Sequence, residues 1–397
     1  MTPDPATPAE LVLDVGPVAH GGHCVARADG QVVFVRHTLP GERVRAVVTG
    51  RSARYLRADA VEVITPSPGR VVPPCPASGP GRCGGCDWQH ADLATQRELK
   101  AAVVAESLRR LGGVEREVRV EEVAGAPEGL GWRTRERFAI DAASERAGLR
   151  RHRSHDVEVL EDCPIADTRV LATGVLRRTW PGAGEVAVAV GGVAGTVVSV
   201  DGRPVSGSRV TEAAGGRTWR VSGDGFWQVH PGAAEVLSAT AIELLDPRPG
   251  EQALDLYAGV GLFAGVLAAR LGAGGRVDAV EASAIAVGDA RRNLHDLPTV
   301  RLHEAAVEDW LAAGHVRRAD LVVLDPPRAG ARRHVVEAVA RLAPRAVAYV
   351  ACDPAAFARD VRTFTDLGYA LADLRAFDCF PMTHHVECVG AFVPVGA

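Results

Sequence analysis

From residue 252 onward the chain changes character, and that change limits its architecture more than any other feature. Short apolar runs at 252–257, 277–281, 321–324 and 346–351 alternate with helical stretches at 284–294 and 333–342. Strands alternating with helices predict a parallel, doubly wound α/β sheet of Rossmann-like type. Such sheets bind ligands beyond the carboxyl ends of their strands, so the residues ending each run are the candidates for chemistry. Two more strands, at about 370–378 and 385–393, are joined so tightly that the last is expected to run antiparallel.

The first strand end carries Asp255-Leu-Tyr257-Ala-Gly259-Val-Gly261-Leu262-Phe-Ala-Gly265. Glycines there let the backbone approach a ligand, although a turn that merely needs glycines is the plainer alternative. The third glycine comes one residue too late for the dinucleotide fingerprint. Glu281, twenty residues past Gly261, is placed to accept hydrogen bonds from a ribose diol. That combination favours S-adenosylmethionine over a nicotinamide cofactor. Asp325-Pro326-Pro327-Arg328 follows the 321–324 run. Its prolines stop the strand and hold an extended loop over the sheet edge. An acid before Pro-Pro is the loop type of methyltransferases acting on planar nitrogen or ring systems. Cys352 ends the next strand, where a thiol would be a strong nucleophile. Glu387 enters the final strand beside the same cleft as a candidate general base. His384 and His385 read as loop-shaping residues.

The first 250 residues follow other rules. Apolar alternation in Gln31–Val35 and Val44–Val48, broken by Gly21-Gly22, Asp29-Gly30 and Pro40-Gly41, predicts a small β-barrel. Residues 66–92 are rich in Pro, Gly and Cys and should form an irregular loop without a core of its own. A helix is expected over 93–112, ended by Gly112-Gly113, and strands return from about 117 to 220. Cys75-x7-Cys83-x2-Cys86 with a distant Cys163-Pro164 resembles iron–sulfur ligation. Zinc is the alternative, though zinc ribbons use two close pairs and only one is present. Residues 133–153 hold seven arginines against three acids, a patch suited to phosphates or to a solvated face. At 397 residues the chain should divide into two or three domains. No apolar run is long enough for a membrane span, and the first ten residues lack the pattern of an export signal. A cytoplasmic location is expected, which makes disulfides an unlikely use for eight cysteines.

Taken together, these residues resemble the bacterial RNA 5-methyluridine methyltransferases, particularly the 23S ribosomal RNA branch with an N-terminal TRAM domain. The resemblance spans nearly the whole chain. Residues 21–44 look like TRAM, a small RNA-binding barrel. Segments 83–90 and 154–165 look like the family's cluster segments. Segments 226–231, 255–263, 324–330, 349–354 and 380–387 match its catalytic motifs in order. The resemblance implies a TRAM barrel at 1–65, a β-rich iron–sulfur and RNA-binding domain at 66–220, and a class I methyltransferase domain at 221–397. It implies that Gln228, Tyr257, Glu281 and Asp325 contact S-adenosylmethionine, with the Gly259–Leu262 backbone (Gly259, Gly261, Leu262) beside it. Cys352 would be the nucleophile and Glu387 the base. Cys75, Cys83, Cys86 and Cys163 would hold a 4Fe–4S cluster. The implied product is 5-methyluridine in RNA, 23S rRNA before tRNA, made by a monomer. The rivals are a nitrogen-directed methyltransferase, a radical S-adenosylmethionine enzyme and a non-catalytic RNA-binding or assembly factor. Three departures stand out: the long spacing after Cys75, Leu262 in place of a polar residue, and Cys388 beside the base.

Overall fold

The computed structural model describes residues 9–396; the first eight residues, part of the stretch read for an export signal, lie outside it. The chain opens with six strands, Glu10–Asp14, Val18–Ala19, His23–Ala28, Gln31–Arg36, Arg43–Arg51 and Tyr55–Thr65, hydrogen-bonded as one sheet. Gly16 N donates to Val25 O at 2.8 Å, which draws the first strand back onto the third and closes the barrel. Alternation does the rest: Val33, Val35, Val44 and Ala46 point inward and are fully buried. Cys24 packs in this core, where burial pushes its thiol up to about 12.

The stretch 66–220, expected as a single domain, is shared among three regions: its own central core, the barrel core, which takes Trp88, Ala91, Leu99 and Val103, and the C-terminal domain. Its middle is a six-stranded antiparallel sheet ordered Val157–Val159, Ala147–Arg150, Arg135–Ile140, Glu185–Val190, Thr196–Val200, Arg203–Ser206. The expected helix forms as Leu93–Ser107 plus a wider turn at Leu108–Gly112, with Asp92 capping it by accepting from Thr95 N at 2.7 Å. It leaves the central domain and packs on the helix Pro354–Asp366 of the C-terminal domain. Val120–Glu122 then adds a parallel strand to the edge of the C-terminal sheet, beside Tyr369–Asp378. The hairpin Arg209–Ala214/Arg217–Ser222 also packs on C-terminal helices and buries Trp219 completely.

The C-terminal sheet runs, in its own chain order, third, second, first, fourth, fifth, seventh, sixth: Val300–Glu304, Arg276–Glu281, Gln252–Leu256, Leu321–Leu324, Ala346–Ala351, Glu387–Pro394, Tyr369–Asp378. The first five are mutually parallel, and Glu387–Pro394 inserts antiparallel, as the tight connection predicted. Strand order reverses between Gln252–Leu256 and Leu321–Leu324, which opens the crevice where such sheets take ligands. Among the described residues no helix is long and apolar enough to cross a membrane.

Candidate active site

Two loops meet over that crevice. The first is the glycine loop. Asp255, fully buried, accepts from Ala264 N at 2.7 Å and ties the strand end to the following helix. Burial, with Asp325 and Glu281 nearby, pushes its carboxyl up to about 7. Tyr257 holds a φ of 67°, a strained value for a residue with a side chain. The glycines divide their work. A Cβ on Gly259 would meet nothing within 4 Å, so this position faces open space; one on Gly261 would strike Leu294 Cδ1 at 2.5 Å. Gly261 therefore serves packing, and Gly259 is the one that leaves room for a ligand. Leu262 is buried at the start of the helix, so it offers backbone only. Glu281 sits at the next strand end and accepts from Gly259 N at 2.9 Å and Ser283 N at 2.7 Å. Gln228 is buried on the segment before helix Ala233–Leu245, while its neighbours Val229 and His230 pack with Phe380 and Trp132.

The second loop carries Asp325-Pro-Pro-Arg328. Tyr349 Oη donates to Asp360 Oδ2 at 2.6 Å and accepts from Ala331 N at 2.8 Å, pinning the loop's far end. Burial pushes the Asp325 carboxyl up to about 7.

Ladder register brings Cys352 and Glu387 together. Ala351 pairs with Cys388 at the end of the antiparallel ladder, so Cys352 and Glu387 are the residues next to that last pair, and the Glu387 carboxyl acts on the Cys352 thiol. Glu387 is buried, and burial with Asp325 nearby raises its carboxyl well above the usual range. Burial also pushes the Cys352 thiol up to about 12, helped by Glu387 and Asp325. Arg328 opposes both shifts and is the cation favouring ionisation of either group. Sequence reading passed over it, although it directly follows Pro327. Cys388 and Cys379 are buried in hydrophobic clusters on opposite faces of the sheet, as structural thiols would be.

The loop before Glu387 is clamped. Met382 takes a φ of 68°; its N donates to Gln96 Oε1 at 2.7 Å and its O accepts from Asp87 N at 3.1 Å and Trp88 N at 3.0 Å. Lys100, the chain's single lysine, is wholly buried with Nζ 2.5 Å from Asp378 Oδ1 and 2.9 Å from Phe380 O.

Cys75, Cys83, Cys86 and Cys163 line one small cavity with Leu149, Leu160 and Pro164, and all four thiols are free. Gly85 N donates to Cys83 Sγ at 3.4 Å, while Gln89 Oε1 accepts from Cys75 N at 3.0 Å. The long spacing after Cys75 does not keep it from the other three. Burial pushes Cys163 up to about 12 and raises Cys83 and Cys86. Among the described residues no three His, Cys, Asp or Glu side chains stand close enough together to hold a single metal ion.

The arginine patch carries less free charge than its count implied. Arg133, Arg135, Arg137, Arg146 and Arg151 pair with Glu136, Glu212, Glu185, Glu161 and Glu158. Arg150 and Arg153 stay outside ion pairs among the described residues. Arg151 and Arg153 nevertheless line a groove facing the barrel's Phe34, Arg36 and Arg57.

A doubly wound sheet of this strand order, with chemistry at its switch point and a barrel in front, defines a class I methyltransferase with an added RNA-binding-type module. Comparison with known proteins narrows the class. Residues 10–61 match the TRAM domain and residues 217–393 match the family described as tRNA (Uracil-5-)-methyltransferase. An uncharacterized RNA methyltransferase of Streptomyces coelicolor is 50% identical over 97% of this chain and 93% of its own. The 23S rRNA (uracil(1939)-C(5))-methyltransferase of Alkalilimnicola ehrlichii is 32% identical, covering 98% of this chain and 97% of its own. The chain belongs to the RNA uracil-5-methyltransferase family. In fold it is similar to the tRNA (uracil-54, C5)-methyltransferase of Pyrococcus abyssi, with a TM-score of 0.71 over 96% of this chain and 99% of the other at 24% identity.

Proposed function

We propose that this enzyme methylates carbon 5 of a uridine in 23S rRNA through a covalent adduct with Cys352. The observation that carries the reading is the place of Cys352 and Glu387 beside the last ladder pair, Ala351 and Cys388, at the carboxyl edge of the sheet. S-adenosylmethionine supplies an electrophilic methyl group. Free uracil is a poor carbon nucleophile, so the protein must activate it. The Cys352 thiolate adds to carbon 6, the 5,6 double bond opens, and the electron pair moves through carbon 5 into an enolate. Carbon 5 takes the methyl group as the bond from that methyl to the donor's sulfonium sulfur breaks, its electron pair staying on sulfur, so that S-adenosylhomocysteine leaves. Glu387, as carboxylate, then removes the proton from carbon 5, and the returning electron pair expels the thiolate. A sulfur leaves as readily as it adds, which suits cysteine better than serine. Arg328 favours the charged forms of both groups, against the burial that disfavours them.

Glu281 would take the ribose hydroxyls in exchange for part of its backbone bonding. Tyr257, Gln228 and Asp325 would border the remainder of the donor, with the Gly259–Leu262 backbone beside it. The target base must leave its stack to reach Cys352. The groove between Phe34 and Arg153 would grip the flanking strand by stacking and phosphate contacts. Cys75, Cys83, Cys86 and Cys163 would hold a 4Fe–4S cluster. Their shared cavity and the amide aimed at Cys83 Sγ fit thiolate ligation. A cluster spreads its thiolates over several irons, whereas zinc needs all four within about 2.3 Å of one point.

Labelled S-adenosylmethionine, offered with separated 23S rRNA and tRNA, tests the reading. Label should enter 23S rRNA as 5-methyluridine. Label confined to tRNA would favour the substrate of the P. abyssi protein, and label on nitrogen would overturn the chemistry.

A further inference from the structure

The contacts joining the cysteine-rich loop to the catalytic loop play no part in the chemistry above, yet they are buried and aligned. Asp87, next to Cys86, is 9% exposed. One carboxylate oxygen lies 2.5 Å from His384 Nδ1 and accepts from His384 N at 3.3 Å. The other accepts from Nη2 of Arg36, in the barrel, at 3.4 Å. A carboxylate can only accept, so His384 carries a proton on Nδ1. The His384 ring rests on His385 with centroids 4.1 Å apart. His385 Nε2 stands 3.4 Å from Arg328 Nη2. A guanidinium can only donate, so this nitrogen is the acceptor and the His385 ring is neutral. The charge of Arg328 acts on both Cys352 and Glu387 and favours their ionised forms.

We propose that Asp87 is a positioning residue for methyl transfer. Held by Arg36, it orients His384, and through the stacked His385 it sets the Arg328 guanidinium beside the nucleophile and base. The barrel thereby becomes part of the active site as well as a grip on RNA. A second contact runs the same way: His20 Nε2, also in the barrel, lies 3.0 Å from Asp353 Oδ2. Asp353 follows Cys352 and caps its helix by accepting from Ala356 N at 2.7 Å. The inference rests on the roles proposed for Cys352 and Glu387.

Single-turnover methylation of 23S rRNA, with enzyme and cofactor in excess, tests it in the full-length protein alongside RNA affinity and melting temperature. Asp87→Asn keeps the shape and removes the charge. His384→Ala removes the donor, whereas His384→Asn keeps an N–H near the place of Nδ1. Asp87→Asn and His384→Ala should slow transfer about tenfold or more, as misplaced catalytic groups do, with RNA affinity unchanged. His384→Asn should recover part of the rate, because the donor returns while the ring stacked on His385 does not. If Asp87→Asn also lowers the melting temperature, the His384 pair decides, since that ring is partly exposed and only one of its two variants keeps a side-chain donor. Wild-type rates in Asp87→Asn, or equal losses in the two His384 variants, would overturn the proposal. An inactive wild-type protein would instead overturn the functional reading beneath it.

Discussion

The methyltransferase edge and the 66–92 loop both carry cysteines with high pKa values, but they are held in different ways. Glu387 opens a paired strand and Cys352 directly follows one, so the hydrogen bonds of the adjoining ladders fix where they stand. Cys75, Cys83 and Cys86 sit on a segment with no strand or helix of its own, tied by single bonds such as Gly84 N to Arg150 O at 3.0 Å. The difference teaches what each region needs. A ladder keeps its shape without a ligand, whereas an irregular loop facing four free thiols depends on whatever those thiols bind.

The largest effect should therefore come from the loop. Cys86→Ser or Cys163→Ser should take bound iron from about four per chain to almost none and leave 66–92 open to proteolysis. Stoichiometric zinc without iron or sulfide in anaerobically purified wild-type protein would erase the proposed contrast in ligand demand. Because the loop also clamps Met382, activity should fall with it.

A single change at the strand edge should disturb the fold less, because the ladder persists. Glu281→Ala removes the acceptor for Gly259 N and the proposed ribose contact, and should weaken S-adenosylmethionine by about 1–3 kcal/mol. Calorimetry showing unchanged affinity would remove Glu281 from the cofactor site. Smaller again is Arg328→Gln. Burial raises Cys352 and Glu387, and both must be ionised in turn, so the rate should climb as pH rises from neutrality. Losing Arg328 raises both groups further. The rising limb should move to higher pH, at a cost of about tenfold at neutral pH per pKa unit. An unmoved pH–rate profile would show that its charge does not reach them.

How much of this was legible in the sequence follows the same division. The strands at 252–256, 321–324 and 346–351 could be read because buried parallel strands are apolar runs stopped by glycine, proline or a polar residue. Their ends marked Asp255, Asp325 and Cys352 without knowledge of any partner. The facing of Cys352 and Glu387 needed only the antiparallel turn. By contrast, Val120–Glu122 is three residues with two acids, and no periodicity announces it as a sheet edge. Nothing in the helical pattern sets Lys100 apart, yet it is buried against Asp378, 278 residues away. The arginines of 133–153 were counted correctly, but Arg135 and Arg137 find their acids on strands distant in sequence, so the patch looked more available than it is. Asp87 and Arg328 were missed for the same reason. Each acquires its role from a partner distant in sequence, and spacing along the chain carries no trace of that.

The central claim is that Cys352 attacks and Glu387 releases, and a denaturing gel of enzyme with labelled RNA and labelled cofactor tests it most directly. Cys352→Ala should form no adduct and transfer no methyl group, because without addition to carbon 6 there is no enolate. Glu387→Gln keeps the shape but cannot take the proton, so methylated RNA should stay attached to Cys352 in a complex that survives denaturant. An adduct in Cys352→Ala, or free turnover in Glu387→Gln, would contradict the assignment.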